Sequence, residues 1–331
     1  NPSKHKTPYY LMHNKKILII GGTGSLGGEL TARLLENNQV YLFSRDESKH
    51  WALQIEHNSH PNLHFIIGDI ADQQKINQTL VRHNFEIIIL AAAMKHIDRC
   101  EYSINECMNT NLLGTKNVLD GIEIHREKLG KLEGVCFVST DKACSPVNVY
   151  GMTKALSEAM MVEKSRYLSG IKFVCVRYGN VLNSRGSIIP MLHKIGKSDT
   201  IKHFTLTHED MTRFIMTLEE SVDLILYALE KGDSGEIIVP ELRGCHIRDL
   251  VEIFSEIYNK SVVLGQMRHG EKLSESLINE TQSVRTEKRG KYTHILPSYK
   301  SGQKGEHREY NSQMKLISRQ ELLTYLTKLK L

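Results

Sequence analysis

Five side chains suited to proton and hydride transfer occur in one short segment of the sequence: Thr140, Asp141, Lys142, Tyr150 and Lys154. The first three follow an apolar run, residues 135–138, that is typical of a buried parallel strand. The last two are four residues apart at the start of a helical pattern, so their side chains emerge on one face of the helix. A hydride-transfer enzyme with an additional acid and base needs this combination of groups.

Tyr150 could act as the base of such a reaction. Its phenol has an ordinary pKa of about 10, which is too high for a base near neutrality. The ammonium of Lys154, one helical turn away, and an oxidised nicotinamide would both favour the phenolate. Tyr150 could then take a proton from a sugar or alcohol hydroxyl as the hydride leaves, with Thr140 hydrogen-bonded to the same oxygen. This hypothesis requires a nucleotide site upstream.

A glycine-rich turn near the start of the chain has the pattern of a dinucleotide site. Residues 16–20 predict a strand, the motif G-x-x-G-x-x-G follows directly, and a helical pattern covers residues 29–36. The glycines allow a tight turn, close approach of the backbone to a pyrophosphate and close packing of helix on sheet. The motif alone is weak evidence, but its position between strand and helix favours a cofactor site. The predicted contacts are Gly21, Thr23, Gly24, Ser25, Leu26 and Gly27.

The end of the second predicted strand, residues 39–43, bears on the choice between NAD and NADP. An NAD site usually has an acidic residue here to bind the ribose hydroxyls. Ser44 and Arg45 suit a 2′-phosphate instead, because a guanidinium pairs with phosphate through two hydrogen bonds. We therefore predict NADP. The alternative is NAD, with Asp46 reaching the ribose and Arg45 facing solvent.

Further strands predict the rest of the nucleotide cleft. Residues 63–67 and 86–90 are apolar runs, and the small residues after the second run would let a cofactor lie against the backbone. Strands alternate with helical patterns, including a long helix over residues 104–126, so we predict an α/β fold with a doubly wound parallel sheet and right-handed crossovers. The additional predicted cofactor contacts are Asp69, Ile70, Ala91, Ala92, Ala93, Lys95, Tyr150 and Lys154.

Composition excludes some classes of protein. The chain has 331 residues and a net charge of +5, with its basic residues interleaved with acids, which disfavours a nucleic-acid partner. Six cysteines without C-x-x-C pairs indicate buried thiols in a reducing compartment and no metal site. No apolar run is long enough to cross a membrane and we find no signal peptide, so we expect a cytoplasmic protein. Residues 1–14 are interpreted as a loose N-terminal arm or a cloning remnant.

Several segments from about residue 15 onward carry a family resemblance: Gly21–Gly27, Phe43–Glu47, Ala91–Lys95, Ser139–Ala143, Tyr178–Val181, Ser184–Ser187, Asp210–Phe214, Arg268–Lys272 and Glu309–Ser312. In these segments the chain resembles the extended short-chain dehydrogenase/reductases. Among them it is most similar to the UDP-N-acetylglucosamine 4,6-dehydratases that invert carbon 5. The resemblance implies a Rossmann-type NADP-binding domain with the catalytic residues over residues 15–180. Residues 181–331 would then mainly bind the UDP-sugar, with some segments returning to the Rossmann core.

The resemblance also implies roles for single residues. Dehydratases that retain the configuration at carbon 5 carry Thr-Asp-Glu where this chain has Thr140, Asp141 and Lys142. Lys142 is thereby implied as the base that removes the carbon-5 proton, and Asp141 as the acid that protonates the departing 6-hydroxyl. Reprotonation on the opposite face then gives inversion. An amine serves as a base only if its pKa is lowered by burial and neighbouring cations.

The implied substrate is UDP-N-acetylglucosamine, and the implied assembly is a homo-oligomer, a dimer or a hexamer. NADP would stay tightly bound and be recycled within each turnover. The residues implied to bind substrate are Lys95, Asn180, Arg185, Arg213, Arg268 and Glu271, a set suited to a diphosphate because it offers several forked cations and an amide. The segment 285–308, rich in Lys, Gly, Ser and His, is interpreted as mobile or as an oligomer contact.

Three other functions stay open on the sequence. A retaining 4,6-dehydratase or a nucleotide-sugar 4-epimerase would use the same redox pair, although a 4-epimerase needs no additional acid and base such as Asp141 and Lys142. A Rossmann protein that senses a cofactor without catalysis would be expected to lack Tyr150 and Lys154, and both are present.

Overall fold

The computed structural model describes residues 12–300, 305 and 307–330. The N-terminal arm predicted over residues 1–14 lies almost wholly outside the described residues. The described strands, in chain order, are β1 (Lys16–Ile20), β2 (Gln39–Ser44), β3 (Leu63–Ile67), β4 (Ile87–Leu90), β5 (Gly134–Val138), β6 (Lys172–Val176), β7 (Asn180–Val181), β8 (His203–Leu206), β9 (Thr212–Met216), β10 (Ile237–Pro240), β11 (Arg243–His246), β12 (Ser261–Leu264), β13 (Ser276–Ile278), β14 (Thr286–Arg289), β15 (Tyr292–Ile295) and β16 (Tyr310–Asn311).

Helices connect these strands. The α-helices are α1 (Ser25–Leu34), α2 (Glu47–Glu56), α3 (Gln73–His83), α4 (Ile97–Tyr102), α5 (Ile104–Cys107), α6 (Gly114–Ile124), α7 (Val149–Tyr167), α8 (Ile188–Gly196), α9 (Leu218–Lys231), α10 (Ile247–Tyr258), α11 (Glu280–Ser283) and α12 (Arg319–Lys328). Short 3₁₀ turns cover Arg126–Lys128 and Asp141–Ala143. Within the described residues, no helix combines the length and apolar character needed to cross a membrane.

The large sheet confirms the predicted doubly wound α/β fold. Its strand order is β14-β15-β10-β6-β5-β4-β1-β2-β3. The seven strands from β3 to β10 pair in parallel, and only β15 and β14 run antiparallel at one edge. Strands such as β1 and β4 are continuous Ile and Leu runs because helices cover both faces. The strand order reverses between β1 and β4, and their carboxyl ends open the crevice where such sheets bind ligands.

Residues after the predicted boundary at 180 divide between the large sheet and a second core. Strands β10, β14 and β15 join the large sheet, whereas the remaining strands form small sheets of two or three strands. The second core packs apolar side chains of α8, α10 and α12, among them Leu192, Leu250, Phe254 and Leu322. The domain boundary itself stays a prediction.

Two predictions about local structure differ from the structure. Residues 286–295, part of the segment predicted as mobile or as an oligomer contact, form the ordered β14–β15 hairpin, because Tyr292, His294 and Ile295 are buried against β10. The oligomer contact stays a prediction. The helix predicted over 104–126 is interrupted by a wider π-helical turn at Met108–Leu113. The prediction of buried, unpaired thiols is confirmed for all six cysteines.

Candidate active site

The turn between β1 and α1 is shaped by two glycines that admit no side chain. Gly21 has φ +88°, and a Cβ there would lie 2.5 Å from the backbone nitrogen of Ala92, at the end of β4. A Cβ on Gly27 would overlap the carbonyl of Gly22, so this glycine lets α1 pack closely on the turn. Both are reasons internal to the fold. We call residues 21–27 the glycine turn.

Gly24 has no such internal reason. A Cβ there would meet nothing nearer than the carbonyl oxygen of Gly21 at 3.5 Å, which is ordinary contact. Gly24 is also the N-cap of α1, where exposed N–H groups attract an anion. A glycine that steric packing does not require, at a helix N-terminus, fits the close approach of a pyrophosphate. The residues present therefore fit a dinucleotide cofactor.

The far end of the glycine turn faces the end of β2. Thr23 donates to the hydroxyl of Ser44 at 3.1 Å, and Ser44 is hydrogen-bonded to Nε2 of His50 at 2.8 Å. Arg45 is 65% exposed, and its Nη1 lies 3.4 Å from Asp69 Oδ2. Burial lowers the pKa of His50.

Asp46 is engaged elsewhere. Its carboxylate caps α2 by accepting from the backbone N–H of Lys49 at 3.1 Å, and it pairs with Lys49 Nζ at 2.8 Å. These bonds hold the pKa of Asp46 below its usual range. Arg45, Asp46 and Lys49 all line the cleft beside Ser44, so this end of the cleft offers two cations suited to a 2′-phosphate and also the carboxylate of the NAD alternative.

A cleft of about 910 Å³ runs from Arg45 past the glycine turn to Asn180 and Arg185. Every residue predicted to contact the cofactor lies along it, as do Thr140, Lys142, Tyr150 and Lys154. Sequence reasoning missed several other lining residues: Lys49, Met94, His96, Arg99, Thr110 and Tyr178. His96 and Arg99 carried a usable signal, since they lie three and six residues after Ala93, the last of the small residues that follow β4.

Tyr150 and Lys154 lie at the start of α7, facing the end of β5. The Lys154 ammonium donates to the carbonyl of Val138 at 2.8 Å and lies 4.3 Å from the centre of the Phe137 ring. Burial lowers the pKa of Lys154 to about 8. The pKa of Tyr150 is raised by burial and by the Asp141 carboxylate, and a hydrogen bond with Thr140 opposes this. The chain's own groups thus raise the pKa of the Tyr150 phenol. The phenolate expected from Lys154 together with an oxidised nicotinamide stays a prediction.

Lys142 lies between two buried carboxylates. Its Nζ is 3.0 Å from Asp141 Oδ1 and 3.8 Å from Glu275 Oε1, and it also donates to Asn180 Oδ1 at 3.3 Å. Asp141 and Glu275 are 0% and 1% exposed. Asp141 lies behind Lys142 rather than on the cleft surface. We call Asp141, Lys142 and Glu275 the buried charge cluster.

The predicted lowering of the Lys142 pKa was wrong for this arrangement. Burial alone would lower it, but the carboxylates of Asp141 and Glu275 outweigh burial, so the pKa of Lys142 is raised. Glu275 was not foreseen because it comes from a segment far along the chain. The backbone carbonyl of Lys142 packs against Gly151, where a Cβ would overlap it, and this fixes Lys142 beside Tyr150.

Asn111 explains the π-helical turn. Its side-chain amide accepts from the N–H of Met94 at 2.8 Å and donates to the carbonyl of Met94 at 2.9 Å. Its own carbonyl accepts from the hydroxyls of Thr115 and Ser157 instead. The interrupted helix thus clamps the segment after β4 that lines the cleft.

The residues implied to bind substrate separate into two groups. Asn180, Lys95 and Arg185 line the cleft, where Lys95 Nζ donates to the Arg185 carbonyl at 2.6 Å and the Arg185 N–H donates to Ser25 Oγ at 2.8 Å. The loop at Arg185 thus reaches across to the glycine turn. Three other implied residues lie away from the cleft lining: Arg213, Arg268 and Glu271. Their role stays a prediction.

Comparison with known proteins agrees with this site. The family model described as polysaccharide biosynthesis protein matches residues 17–297. The chain belongs to this family. Curated proteins similar to this chain include the UDP-glucose 4-epimerases of Rickettsia typhi and Rickettsia felis. They are 38% and 39% identical over 293 residues, which cover 85% of this chain and 83% of each relative.

Solved structures share the fold of this family member. The structure of Pen from Bacillus thuringiensis is 29% identical, with a TM-score of 0.89 over 97% of this chain and 99% of Pen. The dTDP-glucose 4,6-dehydratase DesIV from Streptomyces venezuelae, solved with NAD bound, has a TM-score of 0.67 at 21% identity over 78% of this chain and 86% of DesIV. Relatives and structural neighbours are thus named as nucleotide-sugar epimerases and dehydratases.

Proposed function

We propose that the protein is an NADP-dependent UDP-N-acetylglucosamine 4,6-dehydratase that inverts carbon 5. The observation that carries this proposal is the buried charge cluster beside Tyr150. A 4-epimerase needs a redox tyrosine and lysine, whereas this cleft also presents the amine of Lys142 with a carboxylate 3.0 Å behind it. Elimination of water needs such an additional acid and base.

The redox step would use Tyr150, Thr140 and Lys154. As the phenolate, after giving up its own proton to solvent, Tyr150 would take the proton of the 4-hydroxyl, and Thr140 would hold the same oxygen. The positive charge of Lys154, one helical turn away on α7, would favour that phenolate. When bound, the oxidised nicotinamide would supply a hydride acceptor and a further positive charge. Carbon 4 becomes a ketone, which makes the proton on carbon 5 acidic.

The elimination step would use the Asp141–Lys142 pair. As an ion pair, Lys142 is an acid and Asp141 a base, which is the reverse of the roles required. Transfer of one proton from Nζ to Oδ1 over 3.0 Å produces a neutral amine and a neutral carboxylic acid at once. Burial disfavours the two charges and so reduces the cost of that transfer. Lys142 would then remove the carbon-5 proton. Asp141 does not line the cleft, so its proton would reach the departing 6-hydroxyl through the hydroxyl of Thr140, which lies 3.0 Å from Asp141 Oδ1 and lines the cleft. After water has left, carbon 6 would take back the hydride and carbon 5 would take a proton on the opposite face, which gives the methyl group and the inversion.

NADP is proposed over NAD on the arrangement at the end of β2. Arg45 and Lys49 line this part of the cleft, and Asp46, which also lines it, already accepts the Lys49 N–H and pairs with Lys49 Nζ. The proposed ligand of the site is a small molecule, a UDP-sugar. We also propose that the protein is cytoplasmic and forms a homo-oligomer. The substrate site would be completed by three residues from the second half of the chain, Arg213, Arg268 and Glu271.

UDP-glucose 4-epimerase activity is the second candidate, because the curated Rickettsia relatives carry that name. One assay separates the two. The protein is incubated with UDP-N-acetylglucosamine, and in parallel with UDP-glucose, in deuterated water, and the products are followed by proton NMR and mass spectrometry. We expect a new methyl group and loss of the carbon-5 proton signal. A UDP-hexose that keeps its 6-hydroxyl and differs only at carbon 4 would establish the epimerase instead.

A further inference from the structure

Glu275 has the burial of a core residue and the chemistry of a functional one. Its side chain is 1% exposed, and it directly precedes β13. The backbone N–H of Glu275 donates to Ser312 Oγ at 3.1 Å, and the Ser312 N–H donates to the Glu275 carbonyl at 2.9 Å. Buried carboxylates carry a high desolvation cost, so one is retained only where opposite charges compensate it.

Two ammonium groups provide that compensation. Glu275 Oε1 lies 3.8 Å from Lys142 Nζ, and Oε2 lies 3.6 Å from Lys272 Nζ. Lys272 is held in place by the carbonyls of Cys144 and Ser145, at 3.0 and 2.9 Å. Oε2 itself has no hydrogen-bond partner in the described part of the chain. The carboxylate is therefore free to respond to the charge on Lys142.

We propose that Glu275 is a positioning residue for the acid–base step, acting through Lys142 to fix both the place and the charge of its amine. Glu275 need not touch substrate, since Lys142 lies between it and the cleft. The proposal rests on the proposed function for the identity of the step, but the contact between the two side chains is independent of it.

The charges around Lys142 determine in which direction its pKa should change when Glu275 or Lys272 is replaced. Asp141 and Glu275 raise the pKa of Lys142, whereas burial and the Arg213 guanidinium lower it. Removing the Glu275 charge should therefore lower the pKa of Lys142. Removing Lys272, which competes for the same carboxylate, should raise it. A residue with a purely structural role would not produce shifts of opposite sign.

The test compares Glu275→Gln with the native protein and with Glu280→Gln, an exposed glutamate of α11. Titration of the Lys142 amine is followed by NMR of protein labelled with ¹³C-lysine, with the signal assigned through Lys142→Ala. We expect Glu275→Gln to lower the Lys142 pKa by about 1–3 units, as expected for loss of an opposite charge at this range. Glu280→Gln should leave it unchanged.

The pH profile of product formation gives a second readout. The limb governed by Lys142 should move to lower pH in Glu275→Gln and to higher pH in Lys272→Gln. If Glu275→Gln does not fold, Lys272→Gln and Glu275→Asp carry the test, and Glu275→Asp should keep a profile close to the native one. An unshifted Lys142 titration, with activity reduced equally at every pH, would overturn the proposal. Failure of the native protein to form a 6-deoxy product would overturn the proposed function while leaving the titration result to stand.

Discussion

The two ends of the cleft are built in different ways. The glycine turn is made from backbone of one continuous stretch, and its shape depends on what is absent, namely the side chains of Gly21 and Gly27. The buried charge cluster is made from side chains of segments far apart in the sequence, and its behaviour depends on the balance of charges around Lys142.

This difference predicts how each end responds to change. A backbone cradle binds through N–H groups that almost any residue supplies, so it fails mainly when a Cβ intrudes. A cluster of buried charges stops working when one member is removed, because the remaining charges are then buried without an opposite charge beside them. Substitutions in the glycine turn should therefore affect cofactor affinity, whereas substitutions in the buried charge cluster should affect the rate of the chemical step.

The largest effect is expected at the charge cluster, from Lys142→Ala. Elimination of water should slow by about 10²–10⁴-fold because the proposed base is lost. Oxidation at carbon 4 and cofactor binding should persist, since Tyr150 and the glycine turn are unchanged. Single-turnover experiments would follow reduced nicotinamide by absorbance and the methyl group by NMR. Lys328→Ala, on the exposed side of α12, is the control. Dehydration at the native rate would show that the base lies elsewhere.

A smaller effect is expected at the other end, from Gly24→Ala. The fold has room for this methyl group, but the methyl group would overlap a pyrophosphate bound at this position. We expect affinity for both NADP and NAD to fall about 10–100-fold, as for the loss of one charge-assisted hydrogen bond. Thermal unfolding should change little, with a cost of about 1 kcal/mol for the poorer helix cap.

Gly28→Ala is the matched control for this prediction. Gly28 lies in the first turns of the helix that Gly24 caps, and a Cβ on Gly28 would meet nothing within 4 Å. Titration calorimetry should give native affinity for Gly28→Ala. If Gly24→Ala also binds both nucleotides with native affinity, then the pyrophosphate does not lie against Gly24. The proposed difference between the two ends of the cleft would then be wrong.

The same contrast explains which features were predictable. Strands β1 and β3 match the predicted residues 16–20 and 63–67, because a continuous apolar run determines each. The glycine turn was predictable because the spacing of its glycines is also a local pattern. The helix α1 was placed too late, since its N-cap at Gly24 lies inside the motif.

Features that depend on distant contacts were not predictable. Nothing near Glu275 in the sequence indicates that its carboxylate lies 3.8 Å from Lys142 Nζ. The pKa of Lys142 is raised first by Asp141, its neighbour in the sequence, and then by Glu275, and the second contribution could not be foreseen. The interruption at Met108–Leu113 likewise depends on Asn111 reaching the backbone of Met94. In each case a side chain meets a partner that local patterns do not specify.

The smallest effect is expected at the adenosine end, from Arg45→Gln. Affinity for NADP should fall about tenfold while affinity for NAD is unchanged, because only a 2′-phosphate would use the guanidinium. The effect is modest since Arg45 is 65% exposed and solvent screens its charge. Calorimetric titration with both nucleotides would measure it, with Arg248→Gln on α10, 44% exposed, as the control. Equal weakening of both nucleotides would mean that Arg45 does not read the 2′-phosphate. Stronger binding of NAD than NADP to the native protein would place the selectivity on the ribose, and Asp46 would then have to leave its capping position on α2 to provide it.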